Sequence, residues 1–130
     1  GDPDLIAEIR EVRKHAGMLT PLPIQRAMTA ALGDEEHVST QAKRYANRRE
    51  VLSSALIAAG FQIDFSNAGL YIWCTRSEDC WNSVSWLADI GILATPGIFY
   101  GEAGAQHIRI AMTATDSQIE EAASRIMKSL

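Results

Sequence analysis

Apolar and polar positions along this chain follow two periods, one near 3.6 residues and one of two, and the switches between them mark its elements. Leu5, Ile6, Ile9, Val12 and Ala16 recur at helical spacing behind Asp2 and Pro3, with Gly17 closing the run. Asp2 supplies an N-cap, and Pro3 fits the first helical turn, where its missing N–H costs nothing. The two prolines in Met18–Pro23 forbid a continuous helix and predict a bend. Pro23 then opens a second helix with Ile24, Ala27, Met28, Ala31 and Leu32 on one side and Gly33 at its end. Asp34, Glu35 and Glu36 start the longest helix, their carboxylates favouring the positive end of its dipole. Val38, Ala42, Tyr45, Leu52, Leu56 and Ala59 form its expected buried stripe, and Gly60 caps it. Arg48 and Arg49, mixed with Lys43, Arg44 and Glu50, read as a solvated face of that helix.

The period then drops to two. Phe61–Phe65 alternates as a strand, Ser66–Gly69 supplies a turn, and Leu70–Thr75 returns as its hairpin partner. Leu70, Ile72 and Cys74 on one face and Tyr71 and Trp73 on the other predict a strand covered on both sides. Trp73 reads as a packing aromatic at a domain interface or as part of the lining of a ligand pocket. Ser77, Glu78 and Asp79 cap a further helix in which Val84, Leu87 and Ala88 point inward, Trp81 and Trp86 cover the flanks, and Gly91 ends the run. A short strand is expected over Ile92–Ala94, followed by the glycine-rich stretch Pro96–Gly104. Behind it, Ile108, Ile110 and Met112 alternate with His107, Arg109, Ala111 and Thr113. Thr115 and Gln118 have capping-box spacing, and Ile119, Ala122, Ala123, Ile126, Met127 and Leu130 define the last amphipathic helix. The pattern predicts an α/β or α+β sandwich, a small sheet with helices packed against it.

Composition narrows the function classes. The 130 residues suffice for one domain with a core, and a net charge of −4 gives no electrostatic reason to expect nucleic acid or an acidic membrane surface. No apolar run is long enough to span a bilayer, and no secretory signal is present. The two cysteines, Cys74 and Cys80, read as free thiols in a reducing cytoplasm, and His15, His37 and His107 lie in no metal-ligand spacing. The chain starts at Gly1 on a helix N-terminus without an initiator methionine, which predicts a fragment of a longer protein.

Arg109 stands out among the polar positions. Alternation places it on the face opposite the apolar ladder, beside small Ala111 and just after a glycine loop. A guanidinium fixed on a strand there is placed to receive a carboxylate through two parallel hydrogen bonds. The same spacing also describes an ordinary arginine on the solvent side of a half-buried sheet, and periodicity alone leaves both readings open.

PGIFYG, a short polar spacer and HIRIAMTAT resemble the end of the small domain of the class I and II aminotransferases, fold-type I enzymes that use pyridoxal phosphate. PLPIQRAMTAAL, the helix containing YANRREVL, and AGLYIW resemble the family in the same order, so the likeness covers essentially the whole chain. FYGEAG and HIRIAMTATD are most similar to the succinyldiaminopimelate transaminases of lysine biosynthesis. The resemblance implies a small, mostly antiparallel sheet packed against helices over residues 34–130. It implies that residues 1–33 are a bent helical segment linking from a large domain. Met18–Pro21 in that segment either shapes the neighbouring subunit's pocket or serves as a plain connector.

By the same resemblance Arg109 grips the substrate α-carboxylate, and Tyr100 and Gly101 shape the pocket. Gly97, Gly101 and Gly104 let the loop pass close to the substrate, or are simply turn residues. The family holds its cofactor through a Schiff-base lysine in a Ser-Lys segment followed by Gly-x-Arg. Lys14, Lys43 and Lys128 match no such context, so the catalytic lysine is expected upstream and the fragment alone is expected to be inactive. The implied whole is a cytoplasmic homodimer acting on amino-acid and keto-acid substrates, transferring an amino group between glutamate and a keto acid. A carbon–sulfur lyase on the same scaffold, or a stand-alone ligand-binding domain without catalysis, stays open.

Overall fold

The computed structural model describes residues 1–130 as two compact units, Gly1–Ser39 and Thr40–Leu130. The first unit holds helices α1 (Pro3–His15) and α2 (Leu22–Leu32). Asp2 caps α1 as its sequence requires, its Oδ1 accepting from the backbone N–H of Asp4 at 3.0 Å and of Leu5 at 3.1 Å. Arg13 bonds the Met18 carbonyl at 2.9 Å, and Gln25 the Thr20 carbonyl at 2.7 Å, so the bend is tied to both helices. No residue of α1 or α2 is buried.

α3 (Glu35–Ala58) carries the division between units near its start. The second unit continues through β1 (Gln62–Asp64), β2 (Tyr71–Thr75), α4 (Cys80–Asp89), β3 (Thr95–Pro96), two 3-10 turns (Gly97–Tyr100 and Glu102–Gly104), β4 (His107–Ala111) and α5 (Asp116–Lys128). The strands form one antiparallel sheet in the order β1-β2-β4-β3. This is the mixed helix-and-sheet architecture the sequence pattern predicts. One face of the sheet carries Ile72, Cys74, Ile108 and Ile110, all buried, in a core completed by Leu52 and Leu56 of α3, Leu87 of α4, and Ile119 and Ile126 of α5. Burial pushes the Cys74 thiol up to about 12, and both cysteines are free. Thr115 closes its capping box with Gln118 as the spacing predicts.

Five local expectations are corrected. The strand expected at Ile92–Ala94 forms at Thr95–Pro96, because β3 pairs where Thr95 faces Arg109 and Pro96 faces Ile108. Arg48 is not solvated: it is 8% exposed, and its guanidinium bonds Asp116 at 2.5 Å and the Met112 carbonyl at 3.1 Å. Its aliphatic stem follows the buried stripe while the head finds acceptors from the far end of the chain. The stripe of α3 begins later than expected, since Val38 and Ala42 are exposed. In α4 the inward place given to Ala88 belongs to Ser83, whose hydroxyl is satisfied by Glu78 at 2.6 Å. β2 is covered fully on one face and unevenly on the other: Tyr71 is 42% exposed, Trp73 half-buried and Thr75 buried, and the candidate site lies toward the open, Tyr71 end of that face.

Candidate functional site

The register lines up a row across the open face of the sheet. Asp64 of β1 pairs with Trp73 of β2, Trp73 with Arg109 of β4, and Arg109 with Thr95 of β3. Paired strands lie about 4.8 Å apart, so Asp64 sits two strand spacings from Arg109 with an indole between them. Asp64 is held where it is. It accepts from Gln62 Nε2 at 2.9 Å and approaches His107 Nε2 at 3.1 Å. Those two hydrogen bonds, Gln62 first, hold its carboxyl below the usual carboxylate range.

His107 in turn lies flat on Trp73, ring centroids 5.1 Å apart and planes 8° from parallel. Tyr100 meets Trp73 edge-on at 5.8 Å and 79°. Trp73 therefore sits between the acid of the row and its arginine.

The guanidinium of Arg109 is bounded by aromatic rings. Its Cζ lies 4.1 Å from the Tyr71 ring centroid and 5.1 Å from that of Tyr100. It takes part in no ion pair, and its buried Nε has no hydrogen-bond acceptor. The other five arginines of the second unit are all engaged. Arg44 donates to Gln41, Arg48 to Asp116, Arg49 to the Gly69 carbonyl, Arg76 to Glu78, and Arg125 to Glu121. A half-buried cation with open donors is costly unless something supplies an acceptor. Stacking on two rings offsets part of that cost, about 0.5–2 kcal/mol per contact, without using the N–H groups. The arrangement is chemically suited to binding a carboxylate through two hydrogen bonds.

The loop that brings Tyr100 to this site depends on two glycines. A Cβ on Gly97 would collide with the carbonyl oxygens of Gly104 and His107 and come within 2.8 Å of Trp73, and a Cβ on Gly104 would strike the Gly97 carbonyl. Only glycine allows that crossing. Gly101, between the two 3-10 turns, has φ +111°, a conformation other residues rarely adopt.

The same residues do not by themselves form a pyridoxal phosphate site. Lys14, Lys43 and Lys128 all lie on exposed helix positions, and Lys14 is paired with Glu11 at 3.1 Å. A lysine that binds this cofactor covalently needs a desolvated pocket, and none of the three has one. Metal chemistry has no ligand set either, since no three His, Cys, Asp or Glu side chains converge. No helix is long and apolar enough to cross a membrane.

Sequence reasoning singled out Arg109, Tyr100 and Gly101, and the fold brings Tyr100 against Arg109 while Gly101 turns the chain beside Tyr100. It missed Tyr71 as a neighbour of the guanidinium. The diagonal relation between Tyr71 and Arg109 requires the β2–β4 register, which local periodicity does not contain.

An arginine with free donors on the final strand, beside a glycine-crossed loop on a small antiparallel sheet, invites comparison with amino-acid-handling enzymes. Residues 1–126 match the family described as aminotransferase class I and II, and this chain belongs to that family. It is 56% identical over 126 residues to the 4-dedimethylamino-4-oxo-anhydrotetracycline transaminase OxyQ of Streptomyces rimosus, covering 97% of this chain and 35% of that protein. It is 31% identical over 131 residues to the LL-diaminopimelate aminotransferase of a Dehalococcoides mccartyi strain, covering 97% and 34%. Among solved structures, an aminotransferase from Neisseria meningitidis superimposes with a TM-score of 0.85 at 28% identity, covering 99% of this chain and 35% of the other. The chain thus spans about a third of the length of the curated relatives it matches.

Proposed function

We propose that this chain is the C-terminal, substrate-gripping part of a pyridoxal-phosphate-dependent aminotransferase, in which Arg109 receives the α-carboxylate of the amino donor. The observation that carries the reading is the guanidinium of Arg109, half-buried, framed by rings and the only one in its unit with no acceptor. Family membership supports the reaction class. The cofactor supplies an electron sink at the substrate α-carbon, and residues beyond these 130 hold it. Arg109 fixes the orientation of the amino acid, a positioning effect worth several kcal/mol. Tyr100 and Gly101 bound the pocket on the loop side. Residues 1–33 link to the large domain and residues 34–130 form the small one. The complete protein is a cytoplasmic homodimer, and the isolated chain does not transaminate.

Glutamate is the proposed donor and N-succinyl-2-amino-6-ketopimelate the proposed acceptor, on the wording FYGEAG and HIRIAMTATD. The diaminopimelate substrate in one relative's name accords with it, whereas the name of the 56%-identical relative points to a tetracycline precursor. Assaying the complete protein with glutamate and each acceptor class separates the two. A parallel assay with a β-thioether amino acid such as cystathionine tests the lyase alternative: release of a thiol, pyruvate and ammonia there, with no glutamate consumed in the acceptor assays, would overturn amino transfer altogether.

For the site itself the test is Arg109→Ala in the complete protein. Loss of a desolvated charge pair should cost about 2–5 kcal/mol, or roughly 30- to several-thousand-fold in kcat/KM, mostly through a raised KM for glutamate. An unchanged kcat/KM would make the arginine merely structural.

A further inference from the structure

We infer that Tyr71 is a positioning residue for the substrate carboxylate, acting through Arg109; the inference rests on the assignment of Arg109 as the carboxylate anchor. A strand arginine with no ion pair has several staggered conformations open to it, and only some of them present both donor edges to one point in space. Something must select among them. No acid does so here, because Asp64 is occupied by Gln62 and His107 and Trp73 stands between it and the guanidinium. What touches the guanidinium is the Tyr71 ring at 4.1 Å, closer than Tyr100 at 5.1 Å.

The two tyrosines differ in how firmly they are held. Tyr100 reaches the site from a 3-10 turn, on a loop bounded by Gly97 and Gly101. Tyr71 comes from β2, two residues along from Trp73, the direct cross-strand partner of Arg109. That diagonal placement is within reach of an aromatic and a long side chain on neighbouring strands. A ring on a rigid strand sets the plane of the guanidinium by its face and leaves every N–H free, which an ion pair would not. The interaction belongs to the ring and not to the hydroxyl, which has no hydrogen bond to Arg109.

The test uses the complete, cofactor-loaded protein and the half-reaction with L-glutamate. Tyr71→Leu should raise the KM for glutamate about tenfold, the scale of one cation–π contact, with kcat changed less than threefold. Tyr71→Phe and Tyr71→Trp, which keep an aromatic face, should stay within about twofold of the parent. Because Tyr71 is 42% exposed and outside the core, thermal unfolding and cofactor absorbance of the leucine variant should match the parent. If Arg109→Ala raises KM and Tyr71→Leu does not, the role of Tyr71 is wrong and the anchor stands. If neither raises it, the anchor itself is wrong. Equal damage from Tyr71→Phe and Tyr71→Leu would place the effect in the hydroxyl and overturn the inference as well.

Discussion

The units Gly1–Ser39 and Thr40–Leu130 are built from the same kind of amphipathic helix, yet they treat their apolar stripes in opposite ways. In the first, Ile6, Ile9, Val12, Met28 and Leu32 are all more than two-fifths exposed, and an open groove of about 630 Å³ runs between the helices past Ile6, Ile9, Leu19, Met28 and Leu32. In the second, Leu52, Leu56, Ile119 and Ile126 show 4% exposure or less. Helix periodicity states that a face is apolar. It does not state whether the residues that cover it lie in the same stretch of chain. A sheet is what makes the difference here, because its inner face gives the stripes of α3, α4 and α5 a common surface to meet.

The largest expected contrast comes from truncating one stripe residue in each unit. Leu56→Ala should destabilise the chain by about 3 kcal/mol, as large-to-small changes in a closed core do. Val12→Ala, at a position 68% exposed, should stay within about 0.5 kcal/mol. Urea midpoints of the two variants measure this directly, and equal shifts would mean that the first unit buries its stripe in solution.

A middle-sized contrast lies in the glycines. Gly97→Ala forces a Cβ into two carbonyl oxygens and should cost about 1–3 kcal/mol. Gly33→Ala meets only carbonyl oxygens at 3.6 Å, in helical backbone at φ −88°, and should be neutral or stabilising by a few tenths of a kcal/mol. Differential scanning calorimetry of the pair decides it, and a harmless Gly97→Ala would show that the loop does not need the close crossing.

Much of this was legible beforehand, and the reason differs by element. The caps at Asp2 and Thr115, the hairpin around Ser66–Gly69 and the outward place of Arg109 are local facts, decided within a few residues. The burial of Arg48 is not a local fact, because its acceptors, Met112 and Asp116, lie 64 and 68 residues away. The place of Tyr71 is non-local in the same way: its ring meets Arg109 only through the pairing of β2 with β4. The short strand starts three residues later than the pattern predicts, because Ile92 and Ala94 are buried without pairing, which gives them the look of a strand and none of its ladder.

The smallest contrast is electrostatic. Burial pushes the Glu78 carboxyl up, but hydrogen bonds from Ser83 and Arg76 outweigh it and hold the group below its ordinary value. A carboxyl with a lowered folded pKa contributes stability that is full above its unfolded pKa and is lost as pH falls through the folded one. The parent Tm should therefore drop on acidification below about pH 4.5, the ordinary value for Glu78. Glu78→Gln should start lower at pH 7 and fall less steeply. In the first unit the exposed Lys14–Glu11 pair offers the control, since Lys14→Ala should change stability by no more than about 0.5 kcal/mol. A Glu78→Gln acid limb as steep as the parent's would assign the pH response elsewhere.

The crossing of Gly97 over Gly104 also separates the course of the loop from the side chains it presents. The reach of that loop is fixed where main chain rests on main chain, and Phe99 and Tyr100, both more than half exposed, hang from a support that does not depend on what they are. Substituting Phe99 or Tyr100 would leave that crossing in place while removing ring contacts to Trp81, Trp73 and Arg109. The course of the loop and the chemistry of its rim are thus set by different residues.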